Sequence, residues 1–356
     1  MKILIDGYYI DKPRGLGRYV QELIHAIGNG GPSNLKFTVI VPSDVPEEDL
    51  IQFPNISYVR SKRLPFPVWE QFFFPLFLLF NKYDVVHFPY NTKPVFINYM
   101  RINHVVTLHD LTFMQYGGYG YYQRLGAFYR RTLLKFLKSS FCKIVTVSYQ
   151  SKVEIKNLVG VDSFVVYTSV ARFMSQPIRK ATSGLFDLKE YFVHIGGIAE
   201  HKNSRLTIDA FIAAGIPNVK LVVLGVGSSS DLALHYRDNP SVFFPGWVSD
   251  NDVKNIVSDA MALIFPSLKE GYGLPIVEAF GLGCPVITSN IPPMSEVGGD
   301  AVYKVNPSDF NSLKSAFENI YVDDSLRARL IVSGTARYKL FTVESMSNQM
   351  LEIYNS

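Results

Sequence analysis

Two successive series of short apolar runs, each run followed by a helical pattern, constrain the fold of this 356-residue chain most. The first series begins with Lys2–Asp6, and the second restarts with Tyr191–Gly197. Runs that are apolar on both faces are typical of strands in a buried parallel sheet. The alternation of such strands with helices predicts an α/β protein with two Rossmann-like domains, and the chain is long enough for two cores.

The distribution of charge along the chain indicates which kinds of binding partner to expect. Residues 1–170 hold 19 Lys/Arg against 12 Asp/Glu, whereas residues 171–356 hold 16 against 19. A basic N-terminal half suits an acidic partner, such as an anionic membrane surface or a lipid pyrophosphate, with ordinary scatter as the alternative. The basic residues form no dense runs, so we expect no nucleic acid partner.

The cysteines and the first residues of the chain bear on the compartment. Cys142 and Cys284 lie far apart beside predicted strands, which favours two buried small residues over a disulfide or a metal pair. A reducing cytoplasm is then the expected location. The opening MKILIDG is typical of a strand and has no charged leader, so we expect no secretory signal.

The segment Phe265–Glu278, FPSLKEGYGLPIVE, carries the densest set of candidate binding groups. A strand is predicted to end at Phe265, and a helix to begin at Pro275, whose missing N–H is not needed there. Loop glycines allow a ligand to approach the backbone, and N–H groups at a helix start favour a phosphate. Glu270 and Glu278 could hold different hydroxyl groups of one extended ligand. The alternative is an ordinary solvated loop carboxylate followed by one on a helix face.

This segment resembles the E-x7-E signature of retaining glycosyltransferases of family 4 (glycosyl transferases group 1), and the match continues through EGYGLPIVEAFGLGCPVITSN. The resemblance implies the GT-B fold, in which two Rossmann-like domains face each other across a cleft. We expect an acceptor-binding domain over 1–170, a linker over 171–190 that is rich in Pro, Ser, Thr and Gly, and a sugar-nucleotide-binding domain over 191–340. A C-terminal helix over 341–356 is expected to pack back towards the N-terminal domain.

The resemblance also assigns roles to residues at the donor. It implies that Glu270 holds the donor sugar and the charge that develops there, and that Glu278 holds the ribose. Lys202 matches a lysine that neutralises the donor diphosphate, and His109 matches the histidine of an H-D or H-H motif that reaches the donor sugar. A lone histidine after a strand is otherwise more often structural. The other positions expected to bind the donor are Gly15, Leu16, Gly17, Gly197, Gly246, Gly271, Tyr272, Gly273 and Leu274.

One departure from the family pattern puts its two-cation clamp in doubt. The family usually adds an arginine five residues before the lysine or directly before it, and here Gly197 and His201 occupy those positions. A protonated His201 could replace part of the clamp, because a nearby diphosphate raises the pKa of a histidine. Arg205, one turn into the following helix, is another candidate.

Two apolar and aromatic segments of the N-terminal half each have two possible interpretations. Residues 64–80, LPFPVWEQFFFPLFLLF, are interrupted by prolines and Glu70, whereas a membrane span needs about 20 predominantly apolar residues. The segment is therefore either a core helix or a helix with one apolar edge in a lipid interface. The basic aromatic segment 118–140 is expected to be a helix that covers the sheet or lies at a membrane surface.

The expected activity is metal-independent transfer of a sugar from a nucleotide sugar, with retention of configuration and no separate cofactor. WEQ at 69–71 and HFPYNTKP at 87–94 resemble bacterial mannosyl- and rhamnosyltransferases of surface polysaccharide assembly. That likeness suggests GDP-mannose first, then dTDP-rhamnose or a UDP-sugar, and a glycan or polyprenyl-diphosphate-linked acceptor near Trp69, Tyr90 and Asn91. The alternatives are a sugar-nucleotide epimerase and a noncatalytic nucleotide-binding protein. A dehydrogenase is disfavoured because PRGLGRY lacks the third glycine of G-x-G-x-x-G.

Overall fold

The computed structural model describes residues 1–12, 15–31, 35–115, 121–175 and 190–356, and most of the expected linker lies outside them. The chain divides into two compact units. The first contains Met1–Arg172 together with Phe341–Ser356, and the second contains Phe173–Leu340. Each unit has one sheet in which every described strand pair is parallel. The prediction of two Rossmann-like α/β units is therefore confirmed.

The first unit contains a seven-stranded sheet with the order β3-β2-β1-β4-β5-β6-β7. The chain order reverses between β1 and β4, and ligands of such sheets bind beyond the carboxyl ends of the strands at this reversal. The strands are β1 Lys2–Asp6, β2 Lys36–Pro42, β3 Ile56–Ser61, β4 Val85–Phe88, β5 Asn103–Thr107, β6 Cys142–Thr146 and β7 Phe164–Val165.

The second unit contains a six-stranded sheet with the order β10-β9-β8-β11-β12-β13. Phe192, Phe211 and Phe317 are buried together in its core, and each pair of rings is edge-on with centroids 5.1 to 6.1 Å apart. The strands are β8 Tyr191–Ile195, β9 Lys220–Leu224, β10 Val242–Phe243, β11 Leu263–Phe265, β12 Val286–Ser289 and β13 Tyr303–Val305.

Fifteen α-helical segments accompany the sheets in the described part of the chain, and the short turns between them are 3₁₀ except for a π turn at Trp69–Phe73. The helices are α1 Leu16–Gly30, α2 Phe66–Val68, α3 Phe74–Phe80, α4 Thr112–Gln115, α5 Tyr121–Leu133, α6 Tyr149–Val159, α7 Ala171–Ser175, α8 Ser204–Ala214, α9 Asp231–Tyr236, α10 Asp250–Ser258, α11 Leu274–Gly281, α12 Met294–Gly298, α13 Phe310–Val322, α14 Asp324–Tyr338 and α15 Val343–Asn355.

The C-terminal helix α15 returns to the first unit, as the family resemblance implied. It packs against α1, where a Cβ built on Gly30 would lie 2.4 Å from the Ser347 hydroxyl. Lys143, on β6, donates from its ammonium to the Ile353 carbonyl at 2.9 Å. A cation at the carboxyl end of a helix is favourable because it meets the negative end of the helix dipole.

Two elements of the first unit are short. Strand β7 ends at Val165, because it is an edge strand that pairs only with two residues of β6. The helix predicted over 118–140 runs in the described residues from Tyr121 to Leu133 and then tightens into the 3₁₀ turn Leu134–Phe136. Residues 118–120 lie outside the described ranges.

The apolar segment 64–80 is only partly buried, so it is not wholly a core helix, and its contact with lipid stays a prediction. Trp69, Phe74 and Leu78 are buried, whereas Phe72 and Phe80 are 72% and 81% exposed. Among the described helices, none combines the length and the apolar character needed to cross a bilayer.

Candidate active site

In the second unit, the loops that follow two neighbouring strands converge. β8 and β11 pair through Val193 and Leu263, so their carboxyl ends lie side by side. The loop after β8 contains the 3₁₀ turn Glu200–Lys202, and its His201 carbonyl accepts a hydrogen bond at 2.8 Å from the Leu268 N–H in the loop after β11. This strand pairing brings candidate residues that are far apart in sequence into one region, as parallel sheets generally do.

An ion pair between Lys202 and Glu270 joins the two loops. Lys202 Nζ lies 2.7 Å from Glu270 Oε1, and both side chains are mostly buried, with 26% and 15% of their surfaces exposed. The same ammonium lies 5.4 Å from the centre of the Phe265 ring, at the end of β11. The pair holds one cation and one carboxylate in fixed positions, so an anionic ligand could take the place of Glu270 as the partner of Lys202.

The start of α11 lies directly after this ion pair in the chain. Its preceding residue Gly273 has φ 111°, a left-handed conformation that residues with a Cβ rarely adopt. Helix α11 begins at Leu274 with Pro275 second, one residue earlier than predicted, and its start has no side-chain cap in the described structure. The positive end of the helix dipole is therefore available to a negative ligand. Tyr272 and Glu278 are buried around this start, at 7% and 5% exposure.

The remaining donor-binding candidates of the second unit occupy different positions. Gly197 follows β8, and a Cβ there would lie at an ordinary contact distance, 3.5 Å, from Lys202 Cγ. Gly246 follows β10. His201 is half-buried beside Lys202, whereas Arg205 is exposed on α8. In the described structure, the partner of Glu270 is Lys202, and no hydrogen bond or ion pair joins Arg205 to Glu270.

Two residues that the sequence analysis did not select hold the loop after β8 in place. Asn203 has φ 59°, and its Nδ2 donates to the carbonyls of Pro266 at 3.1 Å and Pro307 at 2.7 Å. The Ser204 hydroxyl lies within hydrogen-bond distance of the Gly197 N–H and carbonyl. The available signal was the pair Asn-Ser directly before a predicted helix, because both residues favour helix starts.

Buried His194 also supports this loop and was not selected. Its Nε2 lies 3.0 Å from the Ser204 hydroxyl, and its Nδ1 lies 2.8 Å from the Ile264 carbonyl. Because a carbonyl only accepts, Nδ1 carries the hydrogen. Burial lowers the pKa of His194 to about 4, so the ring is neutral near pH 7. A histidine inside the apolar run YFVHIGG was the signal in the sequence.

In the first unit, His109 follows β5, and two hydrogen bonds fix its backbone and its ring. Its backbone N–H donates to Asn91 Oδ1 at 2.7 Å, and its ring Nε2 lies 2.9 Å from the Pro89 carbonyl. Burial lowers the pKa of His109, while the Pro89 contact and the Asp110 charge oppose this effect. The ring is therefore neutral near pH 7, Nε2 donates to Pro89, and Nδ1 presents a lone pair that can accept a hydrogen bond.

A series of buried polar contacts leads from Tyr354 to Tyr19, whose ring packs against His109. The Tyr19 ring packs edge-on against His109 with centroids 4.5 Å apart, and the Tyr19 hydroxyl lies 3.1 Å from Thr107 Oγ1. The same Thr107 oxygen lies 2.8 Å from His87 Nε2, and His87 Nδ1 lies 2.7 Å from the Tyr354 hydroxyl. In the sequence His87 stood out only as the first residue of HFPYNTKP, and nothing there indicated Tyr354.

The two glycines at the start of α1 have different reasons in the described structure, space for Gly17 and backbone conformation for Gly15. A Cβ on Gly17 would lie 2.2 Å from the Lys12 carbonyl oxygen and 2.3 Å from that of Tyr9, so only glycine fits where this loop folds against the helix. Gly15 precedes the helix with φ 60°, and Leu16 is its first residue. Residues 13 and 14 lie outside the described ranges. The donor-binding role of this loop stays a prediction.

The three residues predicted to contact an acceptor are buried. Trp69 has no exposed surface and donates from Nε1 to Asp6 Oδ1 at 3.1 Å. The Tyr90 hydroxyl accepts from the Tyr9 N–H at 3.0 Å, and Asn91 positions His109. In this conformation Trp69 and Tyr90 therefore support the end of β1 from within, because their side chains are packed against other residues instead of facing solvent.

Two buried carboxyl groups accompany Trp69 and were not selected from the sequence. Burial raises the pKa of Asp6 to about 8 and that of Glu70 to about 7. Glu70 accepts from the Thr92 hydroxyl at 2.5 Å, from Gln71 Nε2 at 2.7 Å and from the Tyr129 hydroxyl. An acid within the apolar segment 64–80 was the signal for Glu70, because a carboxyl group in an apolar run is either solvated or held by partners.

Both halves of the chain match models of known glycosyltransferases. Residues 13–171 match Glycosyltransferase Family 4, and residues 175–337 match Glycosyl transferases group 1. The O-antigen chain mannosyltransferase RfbU of Salmonella typhimurium is 31% identical over 284 residues, which are 76% of each chain. The O-antigen chain mannosyltransferase B of Escherichia coli is 26% identical over 266 residues, covering 70% of this chain and 69% of the relative.

Solved structures show the same fold. HepE of Anabaena in complex with UDP aligns over 99% of both chains with a TM-score of 0.72 at 16% sequence identity. At that identity the likeness shows the fold alone, and it agrees with the two parallel-sheet units described above. The chain belongs to the glycosyltransferases of family 4 (glycosyl transferases group 1) and has the GT-B fold.

Proposed function

We propose that this glycosyltransferase moves a mannosyl residue from GDP-mannose to a glycan or lipid-linked oligosaccharide in bacterial surface polysaccharide synthesis, such as that of O-antigen, capsule or exopolysaccharide. The support is that both relatives described above are named as mannosyltransferases of O-antigen chains. Transfer of rhamnose from dTDP-rhamnose is the second choice. UDP-sugars stay open, because HepE of the same fold was solved with UDP.

The contact between Lys202 and Glu270 beside the start of α11 carries the proposal. In glycosyl transfer, the charge of the diphosphate leaving group grows as the bond to the sugar breaks. A fixed ammonium and the positive end of a helix dipole stabilise that charge without reorganising during the reaction. We propose that Lys202 and the amides around Gly271–Leu274 supply this stabilisation, with no metal ion and no separate cofactor.

Separate roles are proposed for the two carboxylates of the second unit and for His109 of the first unit. Glu270 holds the donor sugar and the positive charge that develops on it, and it does not form a covalent bond. The acceptor attacks on the face from which the diphosphate leaves, so the configuration of the transferred sugar is retained. Glu278 accepts from the ribose hydroxyls, and the lone pair on His109 Nδ1 accepts from a substrate hydroxyl.

The proposed acceptor and location follow from the charge of the first unit. Residues 1–170 carry more basic than acidic side chains, which suits a polyprenyl-diphosphate-linked acceptor and an anionic membrane. We propose that the first unit binds the acceptor and that the enzyme works in the cytoplasm, peripherally on the inner face of the cytoplasmic membrane.

A donor panel tests this function. Purified protein is incubated with GDP-mannose, dTDP-rhamnose or UDP-glucose and a lipid-linked acceptor, and the products are analysed by mass spectrometry. The expected result is an acceptor heavier by one hexose with GDP-mannose, an anomeric configuration by NMR that matches the donor, and an unchanged rate in EDTA. A donor that changes its sugar without transfer would instead indicate an epimerase. Nucleotide binding without any reaction across the panel would indicate a noncatalytic protein.

A further inference from the structure

The first unit exposes large apolar side chains on three neighbouring segments. They come from the helical segment Phe66–Phe80, from the 3₁₀ turn Val95–Tyr99 and from α5, and each is between 52% and 81% exposed. We call this set the aromatic surface, and its members are Phe72, Leu79, Phe80, Phe96, Tyr99 and Phe128. Clusters of exposed apolar side chains on a folded protein mark interaction sites.

Hydrogen bonds hold the three segments side by side. Gln71 lies next to Phe72 in the π turn, and its Oε1 accepts from the Val95 N–H at 3.0 Å. Its Nε2 donates to the Tyr129 hydroxyl at 3.0 Å, next to Phe128 on α5. Asn98 donates to the Phe136 carbonyl at 3.0 Å, so the 3₁₀ turn is also tied to the end of the α5 region. The exposed side chains are therefore mounted on one fixed framework.

The charge around the aromatic surface is strongly positive. Residues 62–140 contain ten Lys/Arg but only three Asp/Glu, namely Glu70, Asp84 and Asp110. Glu70 is buried, and Asp84 accepts from the backbone N–H of Lys2. Exposed cations on or directly beside these segments include Arg124 on α5, Lys135 in the turn after α5 and Arg101 shortly after the turn Val95–Tyr99. A partner for this region must therefore combine an apolar interior with a negatively charged surface.

We infer that the aromatic surface docks the enzyme on an anionic phospholipid bilayer. The aromatic rings lie at the boundary between headgroups and acyl chains, and Arg101, Arg124 and Lys135 contact lipid phosphates. A bilayer fits better than a protein partner, because rigid rings among many cations match a surface that is apolar below and anionic above. The inference rests on the proposed function only for the reason why the enzyme works at a membrane, because docking itself requires no sugar transfer.

Vesicle flotation tests the docking. The wild-type protein is mixed with vesicles of phosphatidylcholine alone or of phosphatidylcholine with phosphatidylglycerol, and the bound fraction is measured across a lipid titration at low and high salt. The expected result is binding to the mixed vesicles that weakens with salt. Equal binding to both vesicle types, or none to either, would overturn the inference.

Matched variants identify the surface. Phe80→Ala and Phe128→Ala are each expected to weaken vesicle binding about tenfold, the scale of one aromatic side chain leaving an apolar phase. Phe164→Ala is the control, because Phe164 is 50% exposed in the same unit but lies on β7. Equal losses in Phe164→Ala and Phe80→Ala would contradict the assignment to the aromatic surface.

Charge reversals test the cationic part in the same way. Arg124→Glu and Lys135→Glu are each expected to weaken binding at low salt by about fivefold or more, and less at high salt. Lys36→Glu is the control, because Lys36 is exposed at the start of β2. If all three reversals act equally, the effect is one of net charge and the assigned contacts are wrong.

A transfer assay separates docking from catalysis. With a short water-soluble acceptor, Phe80→Ala is expected to retain the wild-type rate, and with the lipid-linked acceptor in vesicles it is expected to lose rate in proportion to binding. Vesicle binding by a protein that transfers no sugar would uphold the docking inference and count against the proposed function alone. If variants that no longer bind vesicles still transfer sugar normally to the lipid-linked acceptor, docking plays no part in the reaction.

Discussion

The Tyr354 hydroxyl lies 2.7 Å from His87 Nδ1, and this contact joins α15 to the centre of the first sheet. Both side chains are buried, and burial lowers the pKa of His87 to about 3, so the ring is neutral. The other ring nitrogen of His87 reaches Thr107, which contacts Tyr19 beneath His109. The C-terminal helix therefore helps to fix the orientation of a candidate active-site residue.

Tyr354→Phe is expected to destabilise the protein by about 1–3 kcal/mol, because it removes a partner from a buried polar nitrogen. Urea unfolding measures this change. Tyr99→Phe is the control, since Tyr99 is 77% exposed and its substitution is expected to be nearly neutral. Equal stability of Tyr354→Phe and wild type would show that the His87 contact contributes nothing to folding.

Lys202→Ala is expected to lower kcat by at least about 100-fold while changing the donor KM much less. The reason is that a cation aimed at the leaving diphosphate acts mainly in the transition state. Steady-state kinetics with the reactive donor give both constants. Lys304→Ala removes a lysine of the same unit whose ion pair with Asp300 is exposed, and it should leave kcat unchanged. Near-normal kcat in Lys202→Ala would make Arg205 the next residue to test.

Glu278→Ala is expected to weaken donor binding by about 1–3 kcal/mol, as for a hydrogen bond to a charged group, and to appear as a raised donor KM. Calorimetric titration of the nucleoside diphosphate checks the same effect without turnover. Glu318→Ala, which removes a surface carboxylate paired with Lys314, serves as the control. Unchanged nucleotide affinity in a folded Glu278→Ala protein would exclude Glu278 from the ribose site.

The buried carboxyl groups Asp6 and Glu70 are expected to make folding stability depend on pH. Burial raises their pKa values from 3.8 to about 8 and from 4.5 to about 7, so the folded state binds these protons more tightly than the unfolded state. Stability from these groups is therefore fully present at low pH and is lost as pH rises through their folded pKa values.

Asp6→Asn tests this pH dependence with little change in shape. The asparagine Oδ1 can still accept from the Tyr8 N–H and the Trp69 Nε1, as Asp6 Oδ1 does. Urea unfolding between pH 5 and pH 8 is expected to show a smaller loss of stability in Asp6→Asn than in the wild type. An equal loss in both proteins would mean that another group is responsible.

The sequence predicted those parts of the fold that depend on local pattern. Strand β11 is apolar throughout and β1 is apolar at its three central residues, and Gly273 and Pro275 indicated the turn into α11. The length of β7 could not be predicted, because an edge strand ends where its neighbour stops pairing. The resemblance suggested Lys202 and Glu270 as site residues from separate motifs, and only the pairing of β8 with β11 accounts for their contact.

Supporting contacts were harder to predict because they join distant parts of the chain. Asn203 reaches the carbonyl of Pro307 across 104 positions, and no local pattern indicates which loop it meets. Trp69 was predicted to lie near the acceptor because WEQ at 69–71 resembles known transferases. Its indole N–H donates to Asp6, 63 positions earlier, and no local pattern indicates that contact.

The return of α15 to the first unit has a consequence for the order in which the protein can fold on the ribosome. Tyr354 is 267 positions after His87, so it emerges only after the whole second unit has been synthesised. Until then, His87 lacks its Tyr354 partner and the face of α1 that packs on α15 is uncovered. The first unit to be translated is therefore the last to be completed. The face of α1 that packs on α15 stays exposed on the nascent chain while residues 173–340 are synthesised.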